Sequence, residues 1–128
     1  MTSSIALGTI GQISRSVKDI EQSRDWYGNL LGLKHLYTFD KLAFFDSGGT
    51  RLFLQQSEAP GNESVLYFRV TDIHAAYDEL TKRGLEFTHP PHLIHRHDSG
   101  MEEWMAFFKD LEGRPLAIMC QREPESQG

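Results

Sequence analysis

Val17-Lys18-Asp19-Ile20 and Val70-Thr71-Asp72-Ile73 share one pattern, and each opens a helix-like stretch that closes on Gly-Leu, at Gly32-Leu33 and at Gly84-Leu85. An aspartate in the cap position can accept from the orphan N–H groups of a first turn, and a glycine past the last turn can take the left-handed conformation that ends a helix. A second echo sets Phe45-Asp46 … Gly49-Thr50-Arg51-Leu52 against Phe108-Lys109-Asp110 … Gly113-Arg114-Pro115-Leu116. A duplication this regular implies two similar units. It also lets equivalent positions in the two halves be compared directly.

Working outward, residues 10–17 alternate as a strand, with Ile13, Arg15 and Val17 on one side and Gln12, Ser14 and Ser16 on the other. Arg15 is expected to snorkel to water from the helix-facing side. Asp19 caps a helix with Gln22 completing a capping box, and Ile20, Trp26, Tyr27, Leu30 and Leu31 form its apolar stripe. Strands follow near 34–39, 42–46 and 50–56, with Gly48-Gly49 as the tight turn. Ser57 to Asn62 is polar with breakers and is expected to link the halves. The second half repeats the order: a strand from Val65 to Val70, the Asp72 cap, and a helix face of Ile73, Ala76, Tyr77 and Leu80. Strands near 85–88, 92–97, 102–109 and 115–120 complete it, joined at Asp98-Ser99-Gly100 and Glu112-Gly113, and the polar tail from Arg122 is expected to fray. The expected fold class is therefore α+β: a single domain over 1–128 made of two tandem βαβββ modules, about 9–57 and 63–120. Together they would form a curved mixed sheet around a cleft, flanked by helices.

Bulk properties narrow the function. Of the 128 residues, 39% are apolar and 24% charged, as in an ordinary globular domain, and the net charge of −5 argues against a nucleic-acid partner. No apolar run reaches bilayer length, and Met1-Thr2-Ser3-Ser4 lacks the features of a signal peptide, so no membrane partner is expected and the expected address is cytoplasmic. The lone Cys120 excludes an internal disulfide and a cysteine-based zinc site; at the end of an apolar run it is expected to be buried and inert.

The duplicated unit, Val17 to Ser23 with Trp26-Tyr27 … Leu31-Gly32-Leu33, and the turn Phe107-Phe108-Lys109-Asp110-Leu111-Glu112-Gly113 together resemble the vicinal oxygen chelate superfamily of glyoxalases, bleomycin-resistance proteins and dioxygenases. Leu111 stands where that family's turn usually has proline. The resemblance covers about residues 9–120. It implies a divalent metal held by the first and last strands of each unit, in a cleft between them, and association as a homodimer. Carried over by position, the four ligand places fall on Gln12, Phe53, Val65 and Ala117. Only the Gln12 amide can ligate, and the neighbours Ile13, Leu52, Leu54, Leu66, Leu116 and Ile118 are apolar. The usual metal is therefore not expected, and no cofactor is implied beyond an unusually placed divalent ion.

The favoured reading is a small organic ligand held in a metal-poor cleft, for sequestration or a resistance-like role. Gln12, Gln55, Tyr67 and Arg69 would supply polar contacts, and Phe53, Val65, Trp104 and Ala117 an apolar lining. An inward Arg69 would suit a carboxylate or phosphate. The first alternative is a lyase or isomerase, glyoxalase- or epimerase-like, that uses an unusually placed His/Glu site. Its catalytic candidates are His92, His95, His97 and Glu102, beside His89 and Glu103. With a turn over Asp98 to Met101, His97 would face Glu102 and His95 would face Trp104. Against this stands a solvated hairpin tip. The second alternative is a structural or regulatory dimer module.

Overall fold

Asp19 and Asp72 set both units with the same backbone, at φ −131°, ψ 112° and φ −132°, ψ 109°. Asp19 Oδ1 accepts from the N–H of Gln22 at 3.0 Å, and Asp72 Oδ1 accepts from His74 and Ala75 at 3.0 and 3.1 Å. The computed structural model describes residues 10–123, so the N-terminal residues read for a leader and the tail past Glu123 lie outside the described residues. Contacts divide the chain after Gly61 into two units.

Unit 1 runs β1 (Gln12–Val17), α1 (Ile20–Asp25), β2 (Lys34–Phe39), β3 (Leu42–Ser47) and β4 (Thr50–Gln56), with sheet order β1-β4-β3-β2. β1 pairs parallel with β4 and the remaining pairs are antiparallel. α1 does not continue unchanged to Gly32 as the pattern suggests: Trp26–Leu30 widens into a π turn, with Leu31 N–H donating to the Trp26 carbonyl at 3.0 Å. The wider turn goes with a fully buried Tyr27 whose ring lies 6.2 Å from that of Phe45. A Cβ at Gly28 would meet the Phe45 ring at 3.4 Å, about an ordinary packing distance. In place of a reciprocal capping box, the Gln56 amide oxygen accepts from Ile20 N–H at 3.0 Å and ties β4 to the helix start. The core beneath α1 is Val17, Ala43, Phe45, Leu52 and Leu54, every second residue of three strands. Arg15 belongs to this face and is only 2% exposed, a correction to the expected solvent reach.

Unit 2 runs β5 (Tyr67–Arg69), α2 (Ile73–Lys82), β6 (Phe87–Arg96), β7 (Glu102–Lys109) and β8 (Pro115–Arg122), with sheet order β5-β8-β7-β6. β5 is shorter than the expected Val65–Val70. Its parallel pairing with β8 is bracketed by Ala117 N–H to the Leu66 carbonyl at 3.0 Å and Val70 N–H to the Met119 carbonyl at 2.8 Å. The two short strands expected at 85–88 and 92–97 are one, β6. Pro90 and Pro91 do not break it, because β6 is the edge strand and its register with β7 shifts between His89 and His92, where the missing donors fall. Ile73 and Leu80 of α2 are buried, with Leu85, Ala106, Phe108, Leu116, Ile118 and Cys120 beneath them. Cys120 is thus a buried free thiol, as its apolar run implied.

The shared turn is built on Asp110. Its Oδ1 accepts from the N–H groups of Glu112 and Arg114, both at 2.9 Å, and its Oδ2 accepts from Arg114 Nε at 2.9 Å. The same buried guanidinium reaches Glu63 at 3.3 Å. Gly113, at φ 78°, makes the reversal that lets one carboxylate gather these donors. With the guanidinium and backbone satisfying the acid, the usual proline is not needed to hold the turn.

Candidate functional site

Strand parity gives each sheet one face against its helix and one open face. In unit 1 the register Gln12↔Arg51, Ser14↔Phe53 and Ser16↔Gln55 sets Gln12, Phe53 and Gln55 together on the open face, as expected from alternation. Phe53 faces Phe44 across β3, and Phe44 faces Tyr37 across β2. Their rings stack in sequence: Phe53 and Phe44 at 5.3 Å and 15°, Phe44 and Tyr37 at 4.6 Å and 25°. Near-parallel rings at these spacings form one aromatic row across three strands. Tyr37 is 49% exposed, Phe44 and Phe53 are half-buried, and Ser14 is the β1 partner of Phe53. Tyr37 was not singled out from sequence. A bulge between His35 and Tyr37 carries Tyr37 to the open face, and no residue pattern announces it.

In unit 2 Tyr67 and Ala117 are partners, and so are Ala117 and Phe107. The Tyr67 and Phe107 rings meet edge to face across the small Ala117, 6.2 Å between centroids, and Ala117 is fully buried. Ala117 is therefore covered rather than available to a ligand, a correction to its expected lining role. Val65 precedes β5 and is half-buried, while Arg69 shares the open face through its partner Met119. The four family ligand places thus hold one amide, one stacked ring, one aliphatic chain and one covered methyl. This donor set does not fit a divalent metal, which needs imidazole, carboxylate or thiolate groups. Among the described residues no three of His, Cys, Asp and Glu gather to hold one.

Trp104 lies on the other side of the sheet. It pairs with Cys120, its ring is 5.4 Å from that of His74 on α2, and the Arg122 guanidinium sits 5.1 Å above it. Trp104 and Ala117 cannot line one surface. Counting parity from Ala117 through its partner Phe107 would have shown this, since 104 and 107 differ by an odd number.

The hairpin register also differs from expectation by one residue. The loop runs from His97 to Met101, closed by His97 N–H to the Met101 carbonyl at 2.8 Å, with Gly100 at φ 94° admitting the longer turn. Arg96, not His97, faces Glu102, and His95 faces Glu103. Glu102 accepts from Arg96 Nε at 3.1 Å and from Trp104 Nε1 at 3.0 Å, which hold its carboxyl below the usual range. Glu103 takes the partner expected of Glu102: it is bonded to His97 Nε2 at 2.8 Å and accepts from Gln121 at 2.8 Å, and these bonds lower its pKa. His95 touches His97 ring to ring at 4.7 Å. The side chains of Glu102 and His97 therefore do not form the acid–base pair read from the sequence.

His92 sits elsewhere, beside Thr88, His89, Phe107, Lys109 and Pro115, which line a concave region of about 510 Å³ within unit 2. Lys109, Phe107 and His89 were missed as a group. Their signal was again parity, read backward through the Asp110 turn from Pro115 and Ala117.

A tandem βαβββ chain with mixed four-stranded sheets and a Phe-Phe-Lys-Asp turn defines a glyoxalase-type fold. The family model for the Glyoxalase/Bleomycin resistance protein/Dioxygenase superfamily matches residues 9–114, and the chain belongs to that superfamily. It is 27% identical to the uncharacterized protein YraH of Bacillus subtilis (strain 168), over 84% of this chain and 94% of that protein. Its fold is shared with a glyoxalase/bleomycin resistance protein/dioxygenase from Nocardioides (TM-score 0.70, 21% identity, covering 98% of this chain and 91% of that one). The virulence protein STM3117 from Salmonella typhimurium is similarly close (TM-score 0.73, 18% identity, 91% and 98% covered). Likeness at these identities defines the fold and leaves the chemistry to the residues.

Proposed function

We propose that this chain binds a small planar organic molecule on the open face of unit 1, holding it by ring contact where relatives would place a metal ligand. One observation carries the reading: Phe53, at a family ligand position, is the β4 end of the Tyr37–Phe44–Phe53 stack. An aromatic row that shares its sheet face with Gln12, Gln55 and Ser14 supplies apolar contact with a few orienting hydrogen bonds, the usual make-up of a small-molecule site. Sequestration, in the manner of the resistance members, is the role this supports. The lyase or isomerase reading is weakened because Glu102 is occupied by Arg96 and Trp104.

The test is a fluorescence and thermal-shift screen with planar aromatic compounds, followed by recovery of the bound compound. A ligand that binds the parent protein, comes back chemically unchanged, and binds Phe53→Ala about fivefold more weakly supports the reading; that loss is about 1 kcal/mol of stacking. Equal binding by Phe53→Ala, or turnover of the compound, overturns it.

A further inference from the structure

The concave region of unit 2 carries an arrangement of imidazoles that the aromatic stack of unit 1 does not use. Thr88 Oγ1 donates its only hydrogen to the Phe107 carbonyl at 3.1 Å. Toward His89 Nδ1, 3.3 Å away, the same oxygen can therefore only accept, so Nδ1 of His89 carries the hydrogen. The Pro90 carbonyl, 2.8 Å from His92 Nδ1, is likewise only an acceptor, so His92 is fixed in the same form. Both rings pack about Phe107, at 5.9 and 6.1 Å between centroids, and lie 6.3 Å from each other. With both Nδ1 atoms committed to the protein, each ring keeps Nε2 for a ligand.

Two imidazoles tethered through Nδ1 would also suit a metal ion. Lys109 decides between the two, because an ammonium in the same lining disfavours a cation and favours an anion. The remaining lining is apolar, from Phe107 and Pro115, and the volume of about 510 Å³ suits a molecule with an apolar body. We propose that this concavity is a binding site for a small organic carboxylate, its charge met by Lys109 and by Nε2 of His89 and His92, and its body laid on Phe107 and Pro115.

One consequence follows from the fixed rings. A carboxylate oxygen can be held at Nε2 only through a hydrogen there, so binding takes up a proton on an imidazole whose Nδ1 is already protonated. Among the described residues, the other charged or titratable groups on this sheet face are Tyr67 and Arg69 on β5, Glu103 on β7, its partner His95 on β6, and His97, which is bonded to Glu103 and lies against His95. α2 packs on the opposite face through Tyr77 against Phe87 and His74 against Trp104.

The experiment uses the full chain, imidazole-resolved ¹⁵N NMR, and benzoate with benzyl alcohol as its neutral counterpart. The free protein should show His89 and His92 as Nδ1–H rings; Nε2–H rings at both would overturn the proposal. Benzoate should shift both rings, bind at least about fivefold more tightly than benzyl alcohol, and weaken as pH rises through the imidazole range. Lys109→Met should lower benzoate affinity about tenfold and Lys109→Arg should restore most of it, whereas Lys82→Ala on α2 should change nothing. Lys109 is exposed, so its variants read binding rather than folding. Equal affinity for the two probes, absent shifts at His89 and His92, or an unaffected Lys109→Met would each sink the idea. None of these readouts involves Phe53, so failure here is distinct from failure of the stack on unit 1.

Discussion

Asp110 gathers two backbone donors and one guanidinium on a carboxylate whose side chain is fully buried. Removing it leaves two backbone N–H groups without their acceptor and takes from the buried Arg114 guanidinium its shortest carboxylate contact, with Glu63 still at 3.3 Å, which is costlier than the loss of the bonds themselves. Asp110→Ala should therefore lower unfolding stability by about 3 kcal/mol in urea, with Asp110→Asn losing less because an amide oxygen still accepts from the backbone. Equal stability of Asp110→Ala and the parent would contradict the role given to this residue. A smaller, local test is Asp72→Ala, which removes the acceptor for His74 and Ala75 and should cost about 1 kcal/mol. Both aspartates were legible in the sequence because the duplication marks them. Ala117 and Trp104 were misjudged at the same scale. A small residue between two rings is covered by them, and an odd count along a strand reverses the face.

Among the elements, the β6–β7 hairpin shows best what a sequence can and cannot announce. Its existence followed from alternation and from Asp98-Ser99-Gly100, but its register depended on one extra loop residue at the positive-φ Gly100. That residue reassigned the pairs nearest the turn, further shifts along β6 moved the rest, and the histidine contact passed from Glu102 to Glu103. Glu103 is held low by its bonds to His97 and Gln121, while an unfolded glutamate titrates at its ordinary value. A depressed folded pKa means the contact's contribution is present above the unfolded value and is lost as pH falls through the lower folded one. Carboxyl ¹³C titration should accordingly show Glu103 with a midpoint below the usual range, and His97→Ala should raise it. An unmoved midpoint in that variant would remove His97 as the cause. The edge position of β6, and with it the tolerance of Pro90-Pro91, was beyond the sequence because strand order is a property of the sheet.

For the molecule as a whole, the repeated βαβββ order was readable because propensity, capping and turn chemistry agree in both halves, and such agreement specifies a fold. The open faces were readable only as alternating sides, since stacking, bulges and covering depend on neighbours distant in sequence. At the four positions carried over from the resemblance this chain holds Gln12, Phe53, Val65 and Ala117 on the fold of its superfamily, and one fold can host many chemistries. The Arg114 contact that steadies the turn after β7 also fixes a glutamate far upstream in sequence. Glu63 lies against that guanidinium, whereas Glu58, five residues earlier, is exposed. A glutamate-specific endoprotease should therefore cut first after Glu58 and spare Glu63, and Arg114→Lys should expose the second bond. Equal early cleavage at both would show the contact does not shield the chain. The turn charge thus decides where the connecting segment can be opened, leaving fragments that begin at Ala59 rather than Ser64.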